Sequence, residues 1–152
     1  LDENTCSKIK QILENDGEVF NLIGKKYKQD VLDNDKDVVI YFYAPWCEKC
    51  KNFYPKYERL ARKLRNKNKN LLFAKMDATE NDIEYFTVNK YPTIKFYPGN
   101  KKNAKPMDYN GERTTEGIIK FIQTNAYNKV VLDLFLMIGQ WKKKWWIKKN
   151  GE

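Results

Sequence analysis

The chain has 152 residues, of which 41% are hydrophobic and 14% aromatic, and its formal net charge is +9. This length allows one domain of roughly 100–150 residues with an extension. The sequence contains no histidine, which excludes histidine-activated nucleophiles, histidine-ligated metals and histidine pH switches. Without histidine, three cysteines cannot complete a four-ligand zinc site within one chain. Acidic residues are interspersed among the basic ones, as on a solvated surface, so we expect no nucleic-acid partner.

The predicted elements alternate between strands and helices. Hydrophobic spacing and turn residues first predict an edge strand over 18–23, a short amphipathic helix over 25–32 and a central strand over 38–43. A long helix to about residue 67, a second central strand over 71–76 and a short helix opening at 77–80 follow. The last predicted elements are a strand over 94–97, an edge strand over 107–109 and a helix from Thr114 or Thr115 to about Ala126.

The fold class follows from this order. The run over 38–43 is apolar on both faces, which is typical of a central strand covered on both sides. A helix between two central strands implies a right-handed parallel crossover, and the last two strands are close enough in sequence for a hairpin. Pro55 should kink the long helix. The sequence therefore predicts an α/β domain with a mixed central sheet and helices on both faces.

The sequence predicts three regions, and the middle one, residues 18–126, is the α/β domain. Residues 1–17 form an N-terminal extension or an interdomain linker, in which Cys6 is either an incidental thiol or a regulatory or intermolecular partner. The chain begins at Leu1 with neither an initiator methionine nor a signal-peptide pattern, so we expect a processed form or an excised domain.

The C-terminal tail over 127–152 is first apolar and then rich in lysine and tryptophan. Its apolar run over 130–138 is about half of the ~20 residues that a membrane-spanning helix needs. A flank of tryptophan and lysine suits weak contact with a membrane interface. The alternatives are that the tail docks on the protein or on a neighbouring domain, or that it is disordered.

A Cys-x-x-Cys segment joins the predicted central strand to the long helix. Cys47 and Cys50 are separated by two residues, so they can be a dithiol or a disulfide. At a helix N-terminus, unsatisfied N–H groups and the macrodipole favour a thiolate. This position predicts a reactive cysteine, whereas the alternative, a structural disulfide clip, does not explain why the pair begins a helix.

Several motifs, in this order, resemble the thioredoxin superfamily and, within it, a catalytic domain of protein disulfide isomerases, most like the C-terminal one. They are Phe42-Tyr43-Ala44-Pro45-Trp46-Cys47-x-x-Cys50-Lys51, the helix proline Pro55, Ala74-Lys75-Met76-Asp77-Ala78-Thr79, Tyr91-Pro92-Thr93-Ile94-Lys95-Phe96 and Tyr109-Asn110-Gly111-Glu112-Arg113-Thr114.

The resemblance implies a thioredoxin fold and thiol–disulfide oxidoreductase or isomerase activity on the cysteines of folding proteins. Cys47 would be the nucleophile and Cys50 the resolving cysteine, while Trp46, Tyr91 and Pro92 would contact the substrate chain. It implies no cofactor and no metal. Unfolded or misoxidised polypeptides would be substrates, glutathione or an oxidase the redox partner, and the endoplasmic reticulum lumen the location, although the C-terminus carries no retrieval signal. The alternative is a thioredoxin-fold chaperone or binding module with slow redox turnover.

Glu48 and Lys49 are a first departure from the resembling family, which usually has Gly-His between its cysteines. Lysine is a cation near neutral pH and can favour the Cys47 thiolate in place of the histidine, while Glu48 would oppose this. The alternative is that both are exposed and have little influence. Arg113 matches a family arginine that can swing towards the second cysteine, or it is an ordinary surface arginine.

Tyr41 is the sharpest departure. In the resembling family a buried glutamate six residues before the first cysteine pairs with a lysine, which Lys75 matches, and relays the proton of the second cysteine. Tyrosine is a poor base at neutral pH, so we expect slow resolution of the mixed disulfide. A buried Lys75 without its carboxylate would tend towards neutrality and could itself relay the proton. The alternative is that Tyr41 only packs in the core, with its hydroxyl bonded to Lys75.

Overall fold

A five-stranded mixed sheet forms the centre of the computed structural model, which describes residues 19–103, 105–133 and 145–150. Cys6 and most of the predicted tail lie outside these residues. The strands are β1 (Phe20–Asn21), β2 (Asp37–Tyr43), β3 (Leu71–Asp77), β4 (Thr93–Tyr97) and β5 (Met107–Asp108), and the helices are α1 (Glu48–Arg65) and α2 (Thr115–Asn125). A 3₁₀ turn over Gly24–Lys26 and a π-helical turn over Lys28–Leu32 replace the predicted short helix before β2.

The sheet has the strand order β1-β3-β2-β4-β5. Strand β3 is parallel to both β1 and β2, whereas β4 is antiparallel to β2 and β5. The connection from β2 through α1 to β3 is therefore the predicted parallel crossover. In this register Tyr41 of β2 lies opposite Lys75 of β3. The mixed sheet of an α/β domain is confirmed.

Two hydrophobic clusters cover the two faces of the sheet. Alternate residues of β2 divide between them, with Val39 and Tyr41 facing α1 and α2, and Ile40 and Phe42 facing the turns that precede β2. Because side chains alternate along a strand, a strand buried on both faces must be apolar throughout, as the run over 38–43 is. The buried face of α1 repeats every three or four residues: Phe53, Tyr57, Leu60, Ala61 and Leu64.

The helix predicted to open at 77–80 is absent, and this prediction was wrong. The Asp77 carboxylate accepts hydrogen bonds from Thr79 N and Oγ1 at 2.9 and 2.6 Å, and Asn81 Nδ2 donates to Asp77 O at 2.8 Å. Such side-chain bonds offer the backbone an alternative to helix. Asn81 also accepts from Gly24 N at 2.8 Å, which ties this loop to the turn after β1. The apolar residues of the segment still pack inward, as predicted: Ile83, Phe86 and Val88.

Residues 127–131 are fastened to the domain through two side chains. Asp37 is fully buried, and its carboxylate accepts hydrogen bonds from the backbone N–H groups of Gly99, Tyr127 and Asn128 at 2.8–2.9 Å. Asn68 donates to Val131 O at 2.8 Å and accepts from Val131 N at 2.7 Å. The first residues of the predicted tail therefore lie against the start of β2 and the end of α1.

Further along the tail, the structure describes one short helix over 145–150. Trp145, Trp146 and Ile147 are each more than half exposed, and Lys149 Nζ lies 4.8 Å from the ring centroid of Trp145. Within the described ranges, no helix combines the length and apolar character needed to cross a membrane.

Replacing the Asp37 carboxylate should destabilise the whole domain. Asp37→Ala leaves at least three backbone N–H groups without their acceptor, so we expect the free energy of unfolding to fall by about 3 kcal/mol. Urea denaturation measures this, with Asp35→Ala as the control because the Asp35 side chain is exposed. Equal stability of the two variants would contradict the role given to Asp37.

Candidate active site

Cys47 and Cys50 form a disulfide at the first turn of α1. Cys47 is the N-cap residue, in extended backbone conformation, and its Sγ accepts a hydrogen bond from Cys50 N at 3.2 Å. The two Cα atoms are 5.2 Å apart, within the range found for protein disulfides. Because an N-cap acceptor satisfies a free N–H group of the helix, the same geometry stabilises negative charge on Cys47 Sγ when the bond is reduced.

The disulfide lies just below the surface, and an aromatic pair lies beside it. Cys47 is 7% exposed and Cys50 3%, whereas the neighbouring Trp46 is 70% exposed. The Trp46 ring contacts the Tyr91 ring edge to face, with 5.7 Å between centroids. The exposed Trp46 ring therefore presents apolar surface to solvent beside the Cys47–Cys50 disulfide.

Two of the three residues predicted to contact a substrate, Tyr91 and Pro92, lie on the loop before β4. The Tyr91–Pro92 peptide bond is cis, and Pro92 is buried. A polar groove of about 460 Å³ runs beside this bond and includes Pro92, Asn110 and Arg113 in its lining. The structure thus brings Pro92 and Arg113, which are separate in sequence, to the two sides of one groove.

Tyr41 lies directly beneath Cys50. Its hydroxyl donates a hydrogen bond to Cys50 O at 2.8 Å, so the alternative in which it bonds Lys75 was wrong. The ring stacks on Tyr57 with 4.9 Å between centroids. Burial raises the pKa of Tyr41 above its ordinary value, and the positive charge of Arg113 offsets part of this rise. Arg113, although exposed, is thus near enough for its charge to influence the hydroxyl that bonds to Cys50 O.

Lys75 is half-buried and not buried as expected. Its Nζ lies over the ring of Tyr54, 4.9 Å from the centroid. The face of an aromatic ring attracts a cation, so the Tyr54 ring gives the Lys75 ammonium group a favourable contact.

A cavity of about 340 Å³ opens beside these residues. We call it the tyrosine cavity, and its walls include Tyr41, Tyr43, Pro45, Cys50, Tyr54 and Lys75. Because Cys50 is among its lining residues, the cavity brings open space up to the second cysteine. Among the described residues, no group of three or more histidine, cysteine, aspartate or glutamate side chains is placed to hold a metal ion.

Glu48 and Lys49 project into solvent between the cysteines. Glu48 Oε1 lies 3.4 Å from Lys51 Nζ, in an ion pair whose side chains are both more than half exposed. Such a pair contributes little to stability, but it places a cation next to the Glu48 carboxylate.

Comparison with known proteins supports this arrangement. The family model described as Thioredoxin matches residues 18–124. The chain belongs to the thioredoxin family. It is 40% identical over 127 residues to the protein disulfide-isomerase of Saccharomyces cerevisiae, covering 83% of this chain and 24% of that protein. It is 43% identical over 119 residues to protein disulfide-isomerase A3 of Gallus gallus, covering 78% of this chain and 23% of that protein.

A solved structure gives the same result for this thioredoxin-family chain. The first thioredoxin domain of mouse protein disulfide-isomerase A4 superimposes with a TM-score of 0.62 at 34% identity, covering 76% of this chain and 81% of that domain. The predicted family and thioredoxin fold are therefore confirmed. The chain spans only about a quarter of the length of the curated relatives named above.

Sequence reasoning missed Tyr43 and Tyr54 as neighbours of the site. Tyr54 follows Cys50 by four residues, which places both on one helix face, so helical spacing could have found it. Tyr43 follows Tyr41 by two residues, and strand periodicity places the two side chains on the same face of the sheet. Tyr43 lies within the quoted active-site motif and Tyr54 lies outside the quoted motifs, and the resemblance assigns a role to neither residue.

The tyrosines of this thioredoxin domain should make it sensitive to alkali. Burial, together with the nearby Glu58 carboxylate and Tyr43, raises the pKa of Tyr54 to about 12. Since the pKa is near ~10 in the unfolded chain, the resulting stability is fully present below pH ~10 and is lost as the pH rises towards 12. Urea denaturation should therefore show that the free energy of unfolding decreases less steeply over this pH range in Tyr54→Phe than in the parent. Tyr127→Phe, at a 61% exposed position, is the control and should lose as much unfolding free energy over this range as the parent. An equally steep decrease in Tyr54→Phe would be evidence against the role given to Tyr54.

Proposed function

We propose that this chain is a catalytic domain of the protein disulfide isomerase type, which exchanges disulfides with the cysteines of polypeptides. The observation that carries the proposal is the Cys47–Cys50 disulfide, with Cys47 as the N-cap of α1 and its sulfur hydrogen-bonded to Cys50 N. The relatives named protein disulfide-isomerase support it.

The exchange would proceed through a mixed disulfide on Cys47. In the oxidising direction, a substrate thiolate attacks Cys47 Sγ, the Cys47–Cys50 bond breaks, and Cys50 leaves as a thiolate that takes up a proton. A second substrate thiolate then attacks the substrate sulfur, forming the substrate disulfide and releasing the Cys47 thiolate. In the reducing direction, the Cys50 thiolate attacks Cys47 Sγ and releases the substrate thiolate. The helix N-terminus stabilises each Cys47 thiolate.

Three residues would set the rate of this exchange and the redox potential of the disulfide. Tyr41 cannot accept the Cys50 proton near neutral pH, because its hydroxyl is a donor to Cys50 O and burial raises its pKa. Water in the tyrosine cavity would accept that proton, and the positive charge of Arg113 would favour the resulting thiolate. Lys49 would partly replace the family's histidine, since the Glu48 carboxylate is already paired with Lys51.

The proposed partners follow from the surface around the sulfur. Trp46, Tyr91 and Pro92 would contact an extended polypeptide, which suits unfolded or misoxidised chains better than a small molecule. Glutathione or an oxidase would restore the redox state, and the location would be the endoplasmic reticulum lumen. The exposed Trp145 and Trp146, with Lys149 over the Trp145 ring, would contribute weak contact with a membrane interface.

One observation favours a second function, a thioredoxin-fold binding module with slow redox turnover. Tyr41 occupies the position where the family has a carboxylate, and its hydroxyl bonds to a backbone carbonyl. If resolution of the mixed disulfide is slow, a domain with the exposed Trp46 surface would bind substrates for a long time and release few products.

The two proposed functions predict different rates of turnover, which can be compared by measuring insulin reduction by the parent and by cysteine variants. Cys47→Ser should abolish insulin reduction, because no mixed disulfide can form. Cys50→Ser should accumulate a stable mixed disulfide with substrate, since the resolving sulfur is gone. Cys6→Ser is the control and should retain the parent's rate. Insulin reduction that survives Cys47→Ser would overturn the enzymatic proposal, and negligible turnover by the parent would favour the binding module.

Tyr41→Glu should accelerate the release of a thiol from a mixed disulfide on Cys47. The new carboxylate would lie opposite Lys75 in the β2–β3 register, beneath Cys50, where it can accept the proton. We expect an increase of about tenfold or more in a single-turnover measurement. Tyr41→Phe removes the hydroxyl without adding a base and should give no increase. If release by Tyr41→Glu is no faster than by Tyr41→Phe, proton acceptance is not the slow step.

A further inference from the structure

The loop after β5 contains an Asn-Gly pair to which the proposed exchange gives no role. Asn110 and Gly111 are both exposed and lie outside every described helix and strand. They form the only Asn-Gly pair of which the structure describes both residues. Asn110 also lines the polar groove, together with Pro92 and Arg113. A change at Asn110 would therefore alter the groove itself.

The turn that contains this pair requires glycine. The Tyr109 hydroxyl donates a hydrogen bond to Glu112 O and so closes the turn around Gly111. A Cβ atom added to Gly111 would lie 2.7 Å from Tyr109 Oη, so a larger residue would displace that hydroxyl. Glycine has no side chain to shield its own backbone nitrogen. The residue that this turn needs therefore leaves the Gly111 nitrogen open to attack the neighbouring side chain.

The Asn110 amide differs from other asparagine amides in its lack of hydrogen bonds. Among the described residues, neither the Asn110 side chain nor the Gly111 N–H has a hydrogen-bond partner. Other asparagine side chains donate to a carbonyl or a carboxylate: Asn34, Asn68, Asn81, Asn125 and Asn128. Such a bond must break before an amide can turn and react. At Asn110 no such bond opposes the approach of the amide carbon to Gly111 N.

We propose that Asn110 is a deamidation site, at which a carboxylate replaces the amide in the wall of the groove. The Gly111 nitrogen attacks Asn110 Cγ and loses its proton as the new C–N bond forms, while the side-chain nitrogen leaves as ammonia. Water then opens the resulting succinimide ring at one of its two carbonyl carbons. Opening at Cγ gives aspartate, and opening at the main-chain carbonyl gives isoaspartate. Water is the only co-reactant, and no atom is oxidised or reduced.

Either product adds one negative charge, at neutral pH, to the wall that carries Arg113. The consequence for substrates rests on the proposed function. A polypeptide that lies in the groove beside Pro92 would meet a like charge wherever it carries an acidic residue. Because like charges across an interface disfavour association, the modified chain should discriminate against acidic substrates more strongly than the parent.

Ageing of the oxidised 152-residue chain tests the modification itself. The chain is incubated at neutral and at mildly acidic pH and digested, and mass spectrometry of the peptides measures how much amide has become carboxylate at each asparagine. At neutral pH we expect deamidation at Asn110 to be at least tenfold faster than at the hydrogen-bonded Asn34 and Asn128. The reaction at Asn110 should be slower at mildly acidic pH, where loss of the Gly111 N–H proton is less favourable. Equal rates at Asn110 and Asn128 would overturn the proposal.

Substitutions at Asn110 test the consequence for substrates. Asn110→Asp copies one product, and Asn110→Gln is the matched control because it keeps an amide. The probes are two cysteine peptides that differ only in glutamate or glutamine beside the cysteine. At low salt, the rate of mixed-disulfide formation with the glutamate peptide, relative to the glutamine peptide, should be at least twofold lower in Asn110→Asp than in Asn110→Gln.

The outcomes separate this inference from the proposed function. The same ratio in both Asn110 variants would overturn the effect on the groove. If the parent reacts with neither peptide, the proposed function fails, while the ageing experiment still decides whether Asn110 is modified.

Discussion

The hydrogen bond from Cys50 N to Cys47 Sγ connects the chemistry of this protein to its fold. It exists because β2 ends at Tyr43 and α1 begins at Glu48, so that the intervening turn presents Cys47 as a cap. Cys47 Sγ therefore caps the start of the helix and is also one half of the disulfide. The rest of the structure maintains this arrangement, since β2 is buried on both faces and α1 is anchored along its length by a continuous apolar face.

Tyr41 extends this coupling from the first cysteine to the second. Its ring belongs to the core beneath α1, while its hydroxyl bonds to the carbonyl of Cys50. A residue that packs in the core is thus also hydrogen-bonded to the backbone of Cys50. The β2–β3 register then places Lys75 opposite Tyr41, and the space that remains between them and α1 is the tyrosine cavity. The pairing of β2 with β3 thus brings Lys75 and Tyr41 to the wall of one cavity.

Features that depend on neighbouring residues could be predicted from the sequence. The apolar run of β2, the helical spacing of α1 and the cysteine spacing are local patterns, and motif order identified the family. The partner of the Tyr41 hydroxyl could not be predicted, because it depends on which backbone carbonyl α1 brings above β2. The loop after β3 was mistaken for a helix because its apolar spacing is compatible with one, while the bonds of Asp77 and Asn81 stabilise turns. The roles of Asp37 and Asn68 rest on contacts more than sixty residues away in sequence.

The tyrosines around the disulfide supply shape rather than acid–base chemistry. The Tyr41 hydroxyl is a donor to Cys50 O, and the Tyr57 hydroxyl lies 2.8 Å from Ala74 O and 3.1 Å from Val39 O. A hydroxyl held as a donor to a carbonyl, in surroundings that raise its pKa, does not lose its proton near neutral pH. In the proposed exchange, these tyrosine hydroxyls would therefore neither accept nor relay the proton of Cys50. Their contribution is to pack beneath the disulfide and, in the case of Tyr41, to bond to the backbone of Cys50.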